Sequence, residues 1–208
     1  MKLILIRHGE TEWVRNRMYQ GSADVPLNAR GLRQARLVAR SVGKEQPFAI
    51  YASERTRVLE TARMLGRTCS RKVIVDPRLN ELSFGRWEGY SFEDVYARYP
   101  KEVRQWYRAA WSSRPLGGES LKSLKSRVCS FFEQLKDKFA HRKGTCVVVT
   151  HGGPIRMFFV CTFRMSPELF WSLRVDPASI HVFDIKKNYQ EVVLLNSQFH
   201  LDGCVTNY

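Results

Sequence analysis

Two apolar runs in this chain each end in a His-Gly pair. Leu3-Ile4-Leu5-Ile6 leads into Arg7-His8-Gly9, and Cys146-Val147-Val148-Val149-Thr150 leads into His151-Gly152. A short unbroken apolar run reads as a strand covered on both faces, because such a strand needs no polar alternation. Strands of this kind belong to mostly parallel sheets packed between helices, which restricts the chain to α/β architectures. A cation, a titratable imidazole and a flexible residue are a costly way to end a strand inside a core. They suit the carboxyl edge of an α/β sheet, where ligands bind. A lone histidine at a strand end is most often a satisfied core residue. Two histidines delivered in the same way, one beside Arg7, argue for a site.

The rest of the chain fits that frame. Asn28 reads as a helix N-cap, with a helix over Ala29 to Val42 and Gly43 just past its end. Leu32, Ala35, Val38, Ala39 and Val42 share one helical face, and Arg33, Arg36 and Arg40 point to solvent. Phe48 to Ala52 reads as a buried strand, and Ser53 to Ala62 opens a helix ending near Gly66. Val73 to Val75 is a short strand. Residues 92–113 carry two helical patterns broken by Pro100 and rich in Trp and Tyr, which suits a cap over about residues 90–120. A helix over Leu121 to Phe139 buries Leu124, Val128, Phe131, Phe132 and Leu135. Pro154 suits the first turn of a helix running to about Thr162, and Ile180 to Ile185 and Glu191 to Leu195 read as strands. Strands alternate with helices throughout, without a linker or an internal repeat. The expectation is one domain over residues 1–208, folded as a three-layer α/β/α sandwich with a mostly parallel central sheet and a helical cap over the site.

Composition narrows the partners. The formal net charge of +14 favours anionic ligands, but its cations are dispersed and no nucleic-acid motif is present, so no specific nucleic-acid partner is expected. No apolar run is long enough to span a bilayer, and the N-terminus has no signal-peptide pattern, so no membrane partner and a cytoplasmic location are expected. Five scattered cysteines without a CxxC pair predict free thiols in a reducing compartment, with Cys146 and Cys161 as small core residues. A homodimer stays open.

Arg7-His8-Gly9-Glu10-Thr11 resembles the signature of the histidine phosphatase superfamily, also called phosphoglycerate mutase-like. Four further segments resemble the family in the same order: Asn28-x-x-Gly31-x-x-Gln34-Ala35, Ser53 to Ala62, Leu79-Asn80-Glu81-Leu82-Ser83-Phe84-Gly85-Arg86-Trp87-Glu88-Gly89, and His151-Gly152. The resemblance implies that His8 is a nucleophile that becomes phosphorylated, that Glu81 is the proton donor, and that His151 is the second catalytic histidine. It places the phosphate-gripping arginines at Arg7 and Arg57, with Arg55 as an auxiliary cation. Gly152, Gln20 and Gly21 join the phosphate- or substrate-binding set. The family often has Asn after Glu-Trp, where this chain has Val14; either the nearby Asn16 substitutes in the phosphate pocket or the pocket is short one donor. Glu88 is expected to order its loop, and Gly117-Gly118-Glu119-Ser120 resembles a loop of the phosphatase branch. His141, His181 and His200 lack such neighbours and read as structural or surface residues.

The chemistry is consistent with those residue types. Cleaving a phosphate monoester needs positive groups on the phosphoryl oxygens, an in-line nucleophile and a proton for the leaving oxygen. Arginine forks grip phosphate in a way lysine cannot. No cofactor and no metal is required, and no carboxylate or Cys spacing completes a metal site with His8 and His151. The expected function is a metal-independent phosphomonoesterase acting through phosphohistidine on a small phosphorylated metabolite, α-ribazole 5'-phosphate being one candidate. The alternatives are a cofactor-dependent phosphoglycerate mutase, which is usually longer, and a catalytically silent binding module of the same fold.

Overall fold

The computed structural model describes residues 1–201 and 203–205, so the expected domain over 1–208 takes in positions 202 and 206–208, which lie outside the described residues. A single six-stranded sheet has the order β3-β2-β4-β1-β5-β6. Its strands are β1 (Lys2–Arg7), β2 (Ala49–Ala52), β3 (Val73–Val75), β4 (Thr145–Thr150), β5 (Ile180–Ile185) and β6 (Gln190–Ser197). Strands β3, β2, β4 and β1 run parallel; β5 is antiparallel to both its neighbours.

The pleat divides β1 between two cores. Ile4 and Ile6 join a cluster with Ile50, Val147 and Val149 and with helices α2 (Ala29–Gly43) and α3 (Thr56–Thr68). Leu3 and Leu5 face the other way, onto α6 (Leu121–Phe139) and α7 (Gly152–Thr162). Successive side chains on opposite faces of a doubly covered strand account for the unbroken apolar run. The result is the expected three-layer sandwich around a mostly parallel sheet. Among the described residues no helix is long and apolar enough to cross a membrane.

Local boundaries differ where capping decides them. Asn28 caps α2 as expected, its side chain accepting from the Gly31 amide, but the helix takes in Gly43. Helix α3 starts at Thr56, three residues after the strand-end Ser53, because Asp24 from a neighbouring loop accepts from the Thr56 amide at 2.7 Å. A short helix α1 (Glu12–Arg15), capped by Thr11, has no apolar periodicity to announce it. Pro100 starts α5 (Pro100–Ala109) directly behind α4 (Phe92–Arg98). Helix α5 is fastened by Trp106, whose ring meets Trp87 edge-on at 6.0 Å between centroids. Such aromatic pairs add about 0.5–1.5 kcal/mol beyond their burial.

The cysteine expectation is overturned for two of the five. Cys129 on α6 and Cys161 on α7 form a disulfide. Both helices pack on the same sheet face, which brings their cysteines to a Cα separation of 5.4 Å across 32 residues of chain. Cys161 is therefore a cross-link rather than a free core thiol, while Cys69, Cys146 and Cys204 are free. The reducing-compartment reading, which rested on unpaired cysteines, loses that support.

Candidate active site

The parallel register of β1 and β4 pairs Arg7 with Thr150, so the next residues, His8 and His151, leave adjacent strands at the same level. Their rings meet edge-on with centroids 5.2 Å apart. The His8 amide bonds the Thr150 carbonyl at 3.0 Å, which holds the two strand ends together past the last ladder pair. Strand β2 lies on the other side of β4 and brings Ser53 to the same edge. The Ser53 hydroxyl is 2.8 Å from His151 Nε2.

His8 is buried, and its Nδ1 lies 2.7 Å from the carbonyl of Gly9. A carbonyl can only accept, so the proton sits on Nδ1 and Nε2 keeps its lone pair. Burial, followed by the charges of Arg57 and Arg7, holds His8 well below the usual histidine range, so the ring is neutral near pH 7. Gly9 makes this turn possible. A Cβ there would come within 2.6 Å of the Gly31 carbonyl oxygen, where the loop crosses the first turn of α2.

Arg7 donates from Nη1 to the Val175 carbonyl at 2.6 Å, while its Nε is buried without a hydrogen-bond partner among the described residues. Such an orphaned cationic donor is what an anion site leaves behind. Arg7 and His8 line a cavity of about 250 Å³ together with Gln20, Gly21, Glu81 and Gly153. Glu81 is held at that wall by α7: the Gly153 amide donates to Oε1 at 3.0 Å, and the Leu82 amide adds a bond of 2.8 Å. The outer wall is aromatic, with Phe92, Trp106, Tyr107 and Trp171, and carries two further cations, Arg17 and Arg156.

Arg57 and His151 are fully buried and stand behind this wall rather than on it. Arg57 donates to His151 Nδ1 at 3.3 Å and to the carbonyls of Ala23 and Gly21 at 2.6 and 2.8 Å. Burial draws Arg57 down to about 10, still charged at neutral pH. Burial, with Arg57 as the main charge contributor, holds His151 well below the usual range. Accepting from Arg57 at Nδ1 and bonding Ser53 at Nε2, His151 has both ring nitrogens engaged in this state.

The remaining expected residues divide. Gln20 is buried and accepts from the Thr11 hydroxyl, and Gly21 presents its carbonyl to Arg57. Gly152 is buried at the start of α7, with its neighbour Gly153 at the cavity. Asn16 is exposed at the C-terminal end of α1 and does not line the cavity; Arg17 and Val14 do. Arg55 precedes α3 and pairs with Glu54 at 3.4 Å, outside the cavity lining. Glu88 gathers the Ser22 and Phe84 amides at 2.8 and 2.9 Å and so orders the loop beside the site. Ser53 opens one of the family-like segments but is given no role by it, and the Gly153 amide, at the start of α7, is turned to the Glu81 carboxyl. The sequence signals for them are the strand-end position of Ser53 at the head of that segment and the helix start after His151. Among the described residues no group of three or more His, Cys, Asp or Glu side chains is arranged to hold a metal ion.

Two neutral histidines, a cationic cleft and a carboxyl meet at one sheet edge, the arrangement that the resemblance to histidine phosphatases leads one to expect. Residues 3–198 match the model of the histidine phosphatase superfamily (branch 1), and the chain belongs to that family and is a phosphatase. It is 34% identical to phosphoserine phosphatase 1 of Hydrogenobacter thermophilus over 97% of this chain and 94% of the relative. It is 30% identical to adenosylcobalamin/alpha-ribazole phosphatase of Escherichia coli, covering 95% and 97% of the two chains. Among solved structures, the alpha-ribazole phosphatase of Shigella flexneri superposes with a TM-score of 0.86 at 29% identity, over 95% of this chain and 96% of that one.

Proposed function

We propose that this phosphatase hydrolyses a small phosphate monoester through a phosphohistidine on His8, with Glu81 as general acid and no metal. The observation that carries the reading is the lock of His8 Nδ1 on the Gly9 carbonyl, which leaves Nε2 as a neutral nucleophile at a cationic cavity. Nε2 attacks phosphorus, the P–O bond to the alcohol breaks, and the Glu81 carboxyl gives its proton to the leaving oxygen. Glu81 then takes a proton from water, whose oxygen attacks phosphorus as the P–N bond breaks, releasing inorganic phosphate. Arg7, with its free Nε, is the direct grip on the phosphoryl oxygens.

Arg57 and His151 supply field from behind His8, and they reach the phosphoryl group when Arg57 Nε leaves His151 Nδ1. The Ser53 hydroxyl eases that exchange: it accepts from Nε2–H in one tautomer and donates to Nε2 in the other. The proposed unit is one domain over residues 1–208, with α4 and α5 as its cap. The aromatic wall favours an alcohol that carries a planar ring, such as the riboside of α-ribazole 5'-phosphate. Phosphoserine is the second reading, because Arg17 and Arg156 at the same wall suit a carboxylate.

Alkaline quenching during turnover, followed by peptide mass spectrometry, should find an acid-labile, base-stable phosphoryl adduct on His8. The His8→Ala protein should be inactive and unlabelled. Turnover should survive EDTA. An adduct on a Ser, Asp or Cys side chain overturns the mechanism, and metal-reversible loss of turnover overturns its metal independence. The ratio of kcat/KM for the two candidate esters decides between the substrate readings.

A further inference from the structure

Behind Glu81 lies a polar clamp whose arginine and carboxylate, Arg127 and Glu119, stand outside the cavity lining. Arg127, in the second turn of α6, commits all five of its N–H donors there. Nε and Nη2 grip the Glu119 carboxylate side-on at 2.9 and 2.7 Å. Nη1 donates to the carbonyls of Arg78 and Asn80 at 2.9 and 2.6 Å, and Nη2 to the carbonyl of Glu81 at 3.0 Å. The one carbonyl missing from that run, Leu79, accepts from the buried Thr150 hydroxyl at 2.6 Å, at the end of β4. Four successive carbonyls, 78 to 81, are thus fixed by two side chains. Glu119 is itself fastened to the same loop, its amide donating to the Ser83 carbonyl at 2.8 Å.

We propose that Arg127, oriented by Glu119, is a positioning residue that sets where the Glu81 carboxyl meets the leaving oxygen. This rests on the reading of Glu81 as general acid. The physical case is the absence of slack. The Glu81 side chain is tied to α7 through Gly153 and to its own loop through Leu82, while its backbone is tied to α6 through Arg127. A planar fork that matches a carboxylate and three carbonyls at once has no lysine equivalent. Proton delivery falls steeply with misplacement, by about 10²-fold for an error of about 1 Å.

The test is the single-turnover transfer rate to His8 for an alkyl phosphate and for p-nitrophenyl phosphate, in wild type, Arg127→Lys, Glu119→Gln, Glu81→Gln and the Arg127→Lys/Glu81→Gln double variant. An activated aryl ester leaves without a proton, so it reports the rest of the site. Arg127→Lys should lose about 10²-fold on the alkyl ester and less than about 5-fold on the aryl ester, with vanadate affinity unchanged. Glu119→Gln, which keeps the arginine, should show the same selectivity at smaller amplitude. The double variant should be no slower on the alkyl ester than Glu81→Gln alone. Equal losses on both esters in Arg127→Lys and in Glu119→Gln, or additive losses in the double variant, make the clamp merely structural and overturn the proposal. If Arg127→Lys does not fold, Glu119→Gln decides alone. If Glu81→Gln itself is unselective, the general-acid reading fails and the positioning role falls with it.

Discussion

Replacing Gly153 by alanine sets two physical effects against each other. Gly153 lies in the first turn of α7, where Gly→Ala ordinarily stabilises a helix by about 0.5–1 kcal/mol. Here the new Cβ would stand 2.2 Å from Glu81 Oε1 and 3.4 Å from its carboxyl carbon. No carbon and oxygen pair tolerates the shorter distance, so the carboxyl must retreat by about 1 Å, the scale on which a misplaced catalytic group costs about 10²-fold. The loop cannot retreat with it, because Arg127 and Thr150 hold its carbonyls. The Gly153 amide would also lose its partner at 3.0 Å. Complete loss of general-acid help would cost about 10²–10⁴-fold in kcat on an alkyl phosphate, or about 3–5 kcal/mol in barrier. Gly152→Ala is the internal control. Its Cβ would meet Arg156 Nη1 at 2.9 Å, the end of a long side chain anchored through Nε on the Leu173 carbonyl, so the close approach falls on the guanidinium and not on the Glu81 carboxyl. The assay is kcat on an alkyl phosphate for both variants, with thermal unfolding to confirm that both are folded. Gly153→Ala should be folded and slow, and Gly152→Ala within a few-fold of wild type. Wild-type kcat in Gly153→Ala would refute the placement of Glu81 against α7. Equal loss in both variants would trace the effect to the helix start rather than to the carboxyl.

Two further perturbations test the stability side of the structure. Burial holds His8 and His151 well below the usual range and His181 down at about 4, so the native state excludes protons that the unfolded chain binds below about 6.5; stability is therefore full above that pH and falls as pH drops beneath it, by up to about 1.4 kcal/mol per unit for each histidine. Urea midpoints should decline between pH 6.5 and 5, where most carboxylates are still ionised, and a flat profile there would contradict the neutral buried rings. The Cys129–Cys161 link closes a loop with a sequence separation of 32, which corresponds to roughly 4 kcal/mol of unfolded-state restriction, so reduction or Cys129→Ser should lower the urea midpoint clearly; a change below about 1 kcal/mol would show that the packing of α6 on α7 alone holds that corner.

The parts of the site that sequence reveals are those fixed by local chain direction. A buried strand must end at a sheet edge, so the runs Leu3 to Ile6 and Cys146 to Thr150 are enough by themselves to place His8 and His151 at an edge. That they meet depends on the register of the β1–β4 ladder, which is set by packing on both faces. Asn16 shows the limit of proximity in sequence. It stands two residues from Val14, but the single turn of α1 carries it to solvent while Val14 and Arg17 stay at the cavity. The disulfide is hidden for the same reason: nothing local to Cys129 or Cys161 records that α6 and α7 lie side by side. Arg127 is the most instructive case. On its own helix it is one more partly exposed basic residue, and its five bonds reach residues 8 to 49 positions away. His8 and His151 are announced by the strands that deliver them. A residue that holds a site group still is recognisable only when the backbone carbonyls it satisfies are known, and where the proposed proton donor sits on a loop, as Glu81 does, that holding is where sequence motifs say least.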